Sequence, residues 1–454
     1  MTRVDAIARA TDYFDSGAFL ADLTRRVAYR TEDQHSDRHA YLAEEMVPAA
    51  RRLGATAEIV DNSVPGGGPF LIARRHESGD VPTVLTYGHA DVVLAEPHRW
   101  RSGLDPWRVT VEQDRWYGRG TADNKGQHTI NLAALEQVLN VRGSLGFNLK
   151  ILIETGEETG SAGLRQLCVA RRRDLAADLL IASDGPRVAA SRPTVFLGTR
   201  GAAGFTLRVP LRARAFHSGN WGGLLRNPAT VLANALACLV DGTGRILVPG
   251  LLPPSIPDDV RAALRTVPVG GDTDDPDIDT DWGEPGLTPA ERLVGWNTLE
   301  VLSLAAGNPD TPIGAIPGSA HAHCQLRFVV GTDIDRLVPN LRAHLTEHGF
   351  GMVDVEPGHV MRATRTDPAN EWVRFTLESL ARNESVPPTL LPNLGGSLPN
   401  DAFADELDMP TIWIPHSYPA CAQHAPNEHL LAPLARQALG LMAGLFWDLG
   451  AVQG

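Results

Sequence analysis

Residues 1–200 alternate short apolar runs with amphipathic stretches, the pattern of an α/β layer structure. Helical spacing of apolar positions predicts helices over 17–29 and 36–53. Strands are predicted over 68–74, 82–87 (PTVLTY), 147–154 (FNLKILIE) and 178–183. The runs 82–87 and 147–154 are short, apolar and β-branched, as strands covered on both faces are.

The rhythm changes near Gly201. GFTLRVPL reads as a strand and PATVLANALACLV as a helix. Then come strands TLEVLSLAA and AHAHCQLRFVV, a helix over 333–347 and a strand near 351–357. That β-α-β-β-α-β order predicts a small ferredoxin-like unit. The Pro/Gly/Asp-rich stretch 241–290 within it lacks the spacing of a calcium loop and reads as a solvated surface insertion, with low complexity over 271–285. After Thr366 the doubly covered pattern resumes, with a helix over 369–382, the strand MPTIWIP and a closing helix over 427–447. The predicted organisation is one α/β domain, 1–200 and 366–454, interrupted by a smaller α+β domain, 201–365.

The 454 residues, 43% of them hydrophobic, suffice for more than one core. With 41 Lys+Arg against 54 Asp+Glu, a net charge of -13, the chain is no general nucleic-acid binder, whose affinity rests on cationic contacts to phosphate. No apolar run approaches the ~20 residues of a membrane span, and the N-terminus has no secretory h-region. Cys168, Cys238, Cys324 and Cys421 are scattered without a CxxC pair, so they read as reduced thiols of a cytoplasmic protein rather than a disulfide frame or thiolate zinc site. Any metal is then expected on His and carboxylates.

Six segments carry candidate chemistry, most of them loops at the ends of predicted strands, where open α/β sheets form their ligand sites. TYGHADVV places His89 and Asp91 just past a strand; an HxD pair suits a metal-bound imidazole oriented by a carboxylate, and equally a plain polar turn. GRGTADNKGQ puts Asp123 in a glycine-rich turn before a helix, as a cation ligand or an N-cap. ETGEETGSAG delivers the adjacent carboxylates Glu157 and Glu158 from a buried strand, so that one can bind metal while the other takes a proton from water. SDG ends a strand with Asp184, AFHSGN holds His217 in the inserted unit, and HAPNEH holds His424, with His416 and His429 as neighbours easily confused with it. Each is weak alone. Together, imidazoles and carboxylates match zinc, cobalt or manganese. Two such ions need a shared carboxylate, which Asp123 can supply. A serine hydrolase is excluded by the lack of a GxSxG elbow.

The block GHADVV…GRGTADNKGQ…ETGEETGS…SDG…HAPNEH resembles the co-catalytic zinc peptidases that include carnosinase, non-specific dipeptidase, glutamate carboxypeptidase, aminoacylase and succinyl-diaminopimelate desuccinylase. The resemblance implies a catalytic domain with a mixed, helix-covered sheet and a ferredoxin-like lid. It implies two divalent ions, zinc with manganese or cobalt as alternatives. His89 and Asp184 would hold one ion, Glu158 and His424 the other, and Asp123 would bridge them through a segment whose following peptide bond is cis. Glu157 is similar to the family's general base and Asp91 to the carboxylate that orients His89. His217 resembles the lid histidine that polarises the scissile carbonyl, from the neighbouring subunit in dimeric members; a homodimer through the lid is implied.

GRILVPG, Arg327 in CQLRFVV and the loop NLGGSLPND point to the carnosinase and dipeptidase branch. There Arg327 would bind the substrate carboxylate, and Ser397, Gly395 and Gly396 would lie near the substrate. Arg327 reads equally as a surface arginine on a lid strand. Asp184, where others carry Glu, fits dipeptidase, carboxypeptidase or desuccinylase types. Trp296-Asn297 and Gly314-Ala315 depart from the branch at positions expected to face the substrate. The expected activity is amide hydrolysis of a dipeptide-sized substrate with a free carboxylate. The alternatives are an N-acyl or N-carbamoyl amino acid amidohydrolase and a non-catalytic metal-dependent binding protein.

Overall fold

The computed structural model describes residues 1–32, 37–270, 276–383 and 386–452. Residue 36 of the expected second helix and 271–275 of the acidic stretch lie outside the described residues.

The first strands are β1 (Thr56–Val60), β2 (Phe70–Arg75), β3 (Thr83–His89), β4 (Asn148–Glu154), β5 (Leu179–Ala182) and β6 (Thr194–Phe196). There follow β7 (Gly201–Pro210), β8 (Thr298–Ala306), β9 (Ser319–Phe328), β10 (Asp354–Met361), β11 (Thr389–Leu391) and β12 (Thr411–Trp413). The helices that matter here are α1 (Arg3–Asp15), α2 (Lys125–Arg142), α3 (Pro228–Leu239), α4 (Leu337–Glu347) and α5 (Ala432–Leu449).

One mixed sheet runs β1-β2-β4-β3-β5-β12-β6-β11. Strand β3 is parallel to both β4 and β5, so three strands bring their carboxyl ends to one edge. Their apolar residues are buried on both faces, Leu149, Ile151 and Ile153 in one layer and Leu85, Tyr87 and Leu152 in the other. Helices α1, α2 and α5 pack together on the first layer.

A second sheet, β8-β9-β7-β10, is antiparallel throughout. In its own chain order that is 2-3-1-4, the ferredoxin-like arrangement expected from the element order. Helices α3 and α4 cover one face, closing a core around Leu207, Leu236, Leu326 and Leu341.

Several expectations shift. The helix over 36–53 is divided into α-helical Asp37–Tyr41, π-helical Leu42–Met46 and α-helical Val47–Arg52. Pro48 lacks the N–H a continuous helix needs, and the wider π turn precedes it. The closing helix begins at Ala432 rather than 427, because His429–Leu431 pair as a strand with Arg115–Tyr117 and Pro433 opens the helix at its first turn. The stretch 241–290 is not wholly a solvated insertion: Asp258–Leu264 is helical, and Ile256, Val260, Leu264, Ala290 and Val294 form their own buried cluster. Helix α1, which the apolar pattern did not mark, is closed by a Thr2/Asp5 capping box.

Candidate metal centre

The parallel strands β3, β4 and β5 end in His89, in the turn carrying Glu157 and Glu158, and in the turn carrying Asp184. A fourth loop, 118–124, brings in Asp123 ahead of α2. Its sharp course depends on glycine: a Cβ on Gly126 would sit 1.9 Å from the Thr121 carbonyl oxygen. The Asp123–Asn124 peptide bond is cis. A fifth loop, before His429–Leu431, carries His424 in a left-handed conformation with φ 57°.

These five loops converge. His89 Nε2 lies 3.0 Å from Asp123 Oδ1 and 3.5 Å from Asp184 Oδ2. His424 Nε2 lies 3.1 Å from Asp123 Oδ2 and 3.0 Å from Glu158 Oε2. Each Asp123 oxygen therefore faces a different imidazole. His89 Nδ1 faces the Asp91 backbone carbonyl at 3.1 Å and its carboxylate at 3.5 Å, while Asp91 Oδ2 accepts the Glu158 N–H at 2.9 Å. Asp91 thus ties the histidine loop to the glutamate loop as well as facing the ring.

Burial and mutual proximity set the electrostatics of these groups. Burial opposes the Asp123 charge, but hydrogen bonds from His424 and His89 outweigh it and hold the carboxyl well below the usual carboxylate range. Asp184 is pushed up to about 7 by burial and by Asp123. Glu157 is raised well above its ordinary value, first by burial, with Asp184 and Glu158 adding to it against His89. His424 is pushed up to about 11 by its hydrogen bonds to Asp123 and Glu158. Glu158 Oε1 and Asp184 Oδ2 are buried without a hydrogen-bond partner. A divalent cation satisfies such orphaned carboxylate oxygens and offsets the crowding of four acids, so this donor set fits a hard-to-borderline metal. His89, Asp123 and Glu158 present ligand atoms within 4.8 Å of one another.

The cluster lies in a cleft of about 740 Å³ whose far wall comes from the inserted sheet. Arg327, Ser397 and Gly396 line it; Gly395 lies just behind, in a neighbouring apolar cavity. Arg327 Nη1 donates to Ser397 Oγ at 2.8 Å, which donates to the Arg200 carbonyl at 2.6 Å. Arg200 is brought down to about 10, by burial and by the positive charge of Arg327. Arg327 is therefore no plain surface arginine. Four site residues were not singled out from sequence: Arg200; His359, on β10 beside Gly160; Gln423, donating to Asp123 Oδ2 at 3.0 Å; and Glu428. Glu428 accepts from Arg119 and from the backbone N–H of Gly120, Ala122 and Asp123. It sits in the quoted block HAPNEH, yet nothing local reveals a partner some 300 residues away, Arg119 being 309 positions distant.

His217 stands apart. It is exposed, accepts the Gly219 N–H through its own Nδ1, and does not line the cleft. The departure at Gly314-Ala315 backs that residue, Ala315 pairing with His217 across a two-stranded ribbon. Asn297, expected to face substrate, is instead buried, donating to the Leu251 carbonyl and accepting the Val329 N–H. A side chain able to satisfy both backbone groups explains its place. His416 is sealed against Ser183 and Asn131, and His429 against Tyr418, so neither competes with His424.

The profile of the peptidase family M20/M25/M40 matches residues 85–446. Among similar proteins, the Beta-Ala-His dipeptidase of Mus musculus is 36% identical over 213 residues, 44% of this chain and 43% of that protein. The Cysteinylglycine-S-conjugate dipeptidase of Corynebacterium striatum is 29% identical over 294 residues, 62% of this chain and 63% of that one. The matched region thus spans less than two thirds of either relative's length. Among solved structures, the M20 family metallo-carboxypeptidase Sso-CP2 of Sulfolobus solfataricus has TM-score 0.83 at 23% identity, covering 96% of this chain and 99% of that one. Human carnosine dipeptidase 1 has TM-score 0.76 at 22% identity, covering 98% and 100%. At such identities the likeness is one of fold.

Proposed function

The chain belongs to the peptidase family M20/M25/M40, and from that membership we propose a metal-dependent hydrolase that cleaves the amide bond of a dipeptide or similar small substrate with a free carboxylate. The observation that carries the reading is the convergence of two imidazoles and four carboxylates, two with orphaned oxygens, at the head of a cleft walled by Arg327. Relatives named as dipeptidases support the substrate class.

His89 and Asp184 would hold one divalent ion, His424 and Glu158 the other, and Asp123 would bridge them, one oxygen to each side. Zinc fits this ligand set, with manganese or cobalt as substitutes. Bound there, the ions supply charge that polarises a carbonyl and acidifies water. Glu157 takes the proton from the attacking water and returns it to the leaving amine nitrogen. Asp91 fixes the His89 ring through Nδ1. The guanidinium of Arg327, steadied by Ser397, would receive the substrate carboxylate, with Gly395 and Gly396 shaping the loop beneath it.

Residues 1–200 and 366–454 would form the catalytic domain and 201–365 the lid. His217, exposed and away from this chain's cleft, would serve the cleft of a second subunit. The edge strand β8 supports such a homodimer: Leu302 and Leu304 are 62% and 56% exposed on a strand with an unpaired side. Replacing both by lysine is expected to convert a dimer to monomers in sedimentation and to lower turnover together. An unchanged mass would remove the lid from the interface. Four free cysteines suit a reducing, cytoplasmic setting, and among the described residues no helix is long and apolar enough to cross a membrane.

The deciding experiment is hydrolysis of a panel of dipeptides and N-acyl or N-carbamoyl amino acids by metal-stripped protein, with zinc, manganese or cobalt restored. Metal-dependent cleavage of dipeptides that requires the free α-amine is expected. Preference for acylated amino acids would move the assignment to an amidohydrolase. Tight metal binding with no cleavage of any member would leave a binding protein.

A further inference from the structure

We propose that Cys238, His344 and His348, on the two helices of the inserted unit, form a second metal site that takes a zinc-type divalent cation. None of the three lines the catalytic cleft. Their spacing hides them in sequence, where Cys238 reads as a lone reduced thiol 106 residues from His344.

Packing of α3 against α4 brings one ligand atom of each residue within 4.8 Å of the others. Donors around a tetrahedral cation with bonds of about 2.0–2.3 Å stand roughly 3.5 Å apart. Side-chain rotation of about 1 Å therefore closes the site.

Each imidazole has one nitrogen held on a backbone carbonyl. His344 Nε2 lies 2.7 Å from the Cys238 carbonyl oxygen, and His348 Nδ1 lies 2.9 Å from the His344 carbonyl oxygen. A carbonyl only accepts, so both of those nitrogens carry the N–H. In the neutral rings His344 Nδ1 and His348 Nε2 then hold the lone pairs. One ring nitrogen pinned to a carbonyl while the other is left for metal is the usual outer-shell arrangement of a ligating histidine. The two rings lie 4.1 Å apart between centroids.

The field favours a cation as well. Cys238 and His344 lie in the last turns of α3 and α4, and His348 caps the end of α4. Helix carboxyl ends carry partial negative charge. The exposed His348 leaves an entry path, and with three protein donors a fourth position stays open to water. One sulfur and two imidazole nitrogens select zinc, cobalt or copper over magnesium or calcium.

The Cys238 thiol now donates to the Ala235 carbonyl at 3.0 Å, and burial pushes its pKa up. Capture therefore breaks the S–H bond, forms a sulfur–metal bond and releases the proton to solvent. The ion would staple the two helices behind the lid sheet.

The test is cobalt titration of the metal-stripped full chain. The catalytic donors are nitrogen and oxygen, so a thiolate-to-cobalt charge-transfer band in the near ultraviolet reports this site alone. We expect the band to saturate with one ion beyond those the Cys238→Ser variant binds. It should be absent in Cys238→Ser and unchanged in Cys421→Ser. His348→Ala, a surface change that leaves the core intact, should weaken the cobalt affinity behind the band at least about tenfold. No band at saturating cobalt, or a band that survives Cys238→Ser, overturns the proposal.

Discussion

Glu157→Gln is expected to lower turnover by about 10²- to 10⁴-fold while metal content stays at the level of the unaltered protein. Burial, Asp184, Glu158 and Asp123 raise Glu157 against the pull of His89. Cations bound beside it would favour its ionised form, which is the form that accepts a proton from water. Neither imidazole contacts it at hydrogen-bond distance, whereas Asp123, Asp184 and Glu158 all lie within 3.5 Å of His89 or His424. Glutamine keeps the shape and the packing and removes only the ability to take a proton. Asp123→Asn provides the contrast, since it removes charge between both imidazoles and should lose metal and activity together. The measurements are initial rates and equilibrium metal content of each variant under the same loading. Turnover within a few-fold of normal in Glu157→Gln would move the base elsewhere. Equal loss of metal in the two variants would make Glu157 a ligand.

The sheet edge was legible because each delivering strand is a short apolar run bounded by polar turns. Such runs have few ways to be buried other than in a doubly covered sheet. Once β3, β4 and β5 are strands, His89, Glu157, Glu158 and Asp184 must emerge together if the strands are parallel, which they are. His424 could not be separated from His416 and His429 by composition or spacing. Burial made that choice, sealing the two neighbours against Ser183 and Tyr418.

The opposite wall was far less legible. Asn297 looked like a substrate-facing departure and is a buried bracket, because an amide satisfies a donor and an acceptor at once. His359 reaches the cleft only through the docking of the inserted sheet, and Arg200 stands behind the wall where its carbonyl accepts from Ser397, tertiary facts without local periodicity. The helix over 36–53 is present over 37–52 but carries a π segment that the apolar pattern does not weigh, set just ahead of the missing N–H of Pro48.

The second large effect should come from a residue that touches no metal. Glu428 is fully buried, and its carboxylate accepts four hydrogen bonds from one short segment. Oε2 takes Arg119 Nη1 at 2.7 Å and the Gly120 N–H at 3.0 Å; Oε1 takes the Ala122 and Asp123 N–H groups at 2.9 and 3.0 Å. Burial pushes its pKa up, and Arg119 and the loop amides pull it back. A glutamine has one acceptor oxygen and must turn an N–H toward one of the two pairs. Glu428→Gln therefore strands either Arg119, itself 2% exposed, or the Ala122 and Asp123 amides that aim Asp123 between the imidazoles, and holds the other pair with a neutral oxygen, more weakly than a carboxylate does. Loss of one partner of such a buried pair is expected to cost about 3–5 kcal/mol of stability. Loss of the outer support should weaken metal affinity roughly 10- to 100-fold. Denaturant unfolding in chelator isolates the first effect, and metal titration at a temperature where the variant is folded isolates the second. Adding Arg119→Met removes the stranded charge, so the double variant should regain part of the stability in chelator. It should regain only part of the metal affinity, because the neutral amide oxygen holds the Asp123 N–H more weakly than a carboxylate does. If Glu428→Gln unfolds early yet binds metal normally, the loop supports the fold alone. If the double variant recovers both in full, the Arg119 charge, and not the aim of Asp123, is what Glu428 controls.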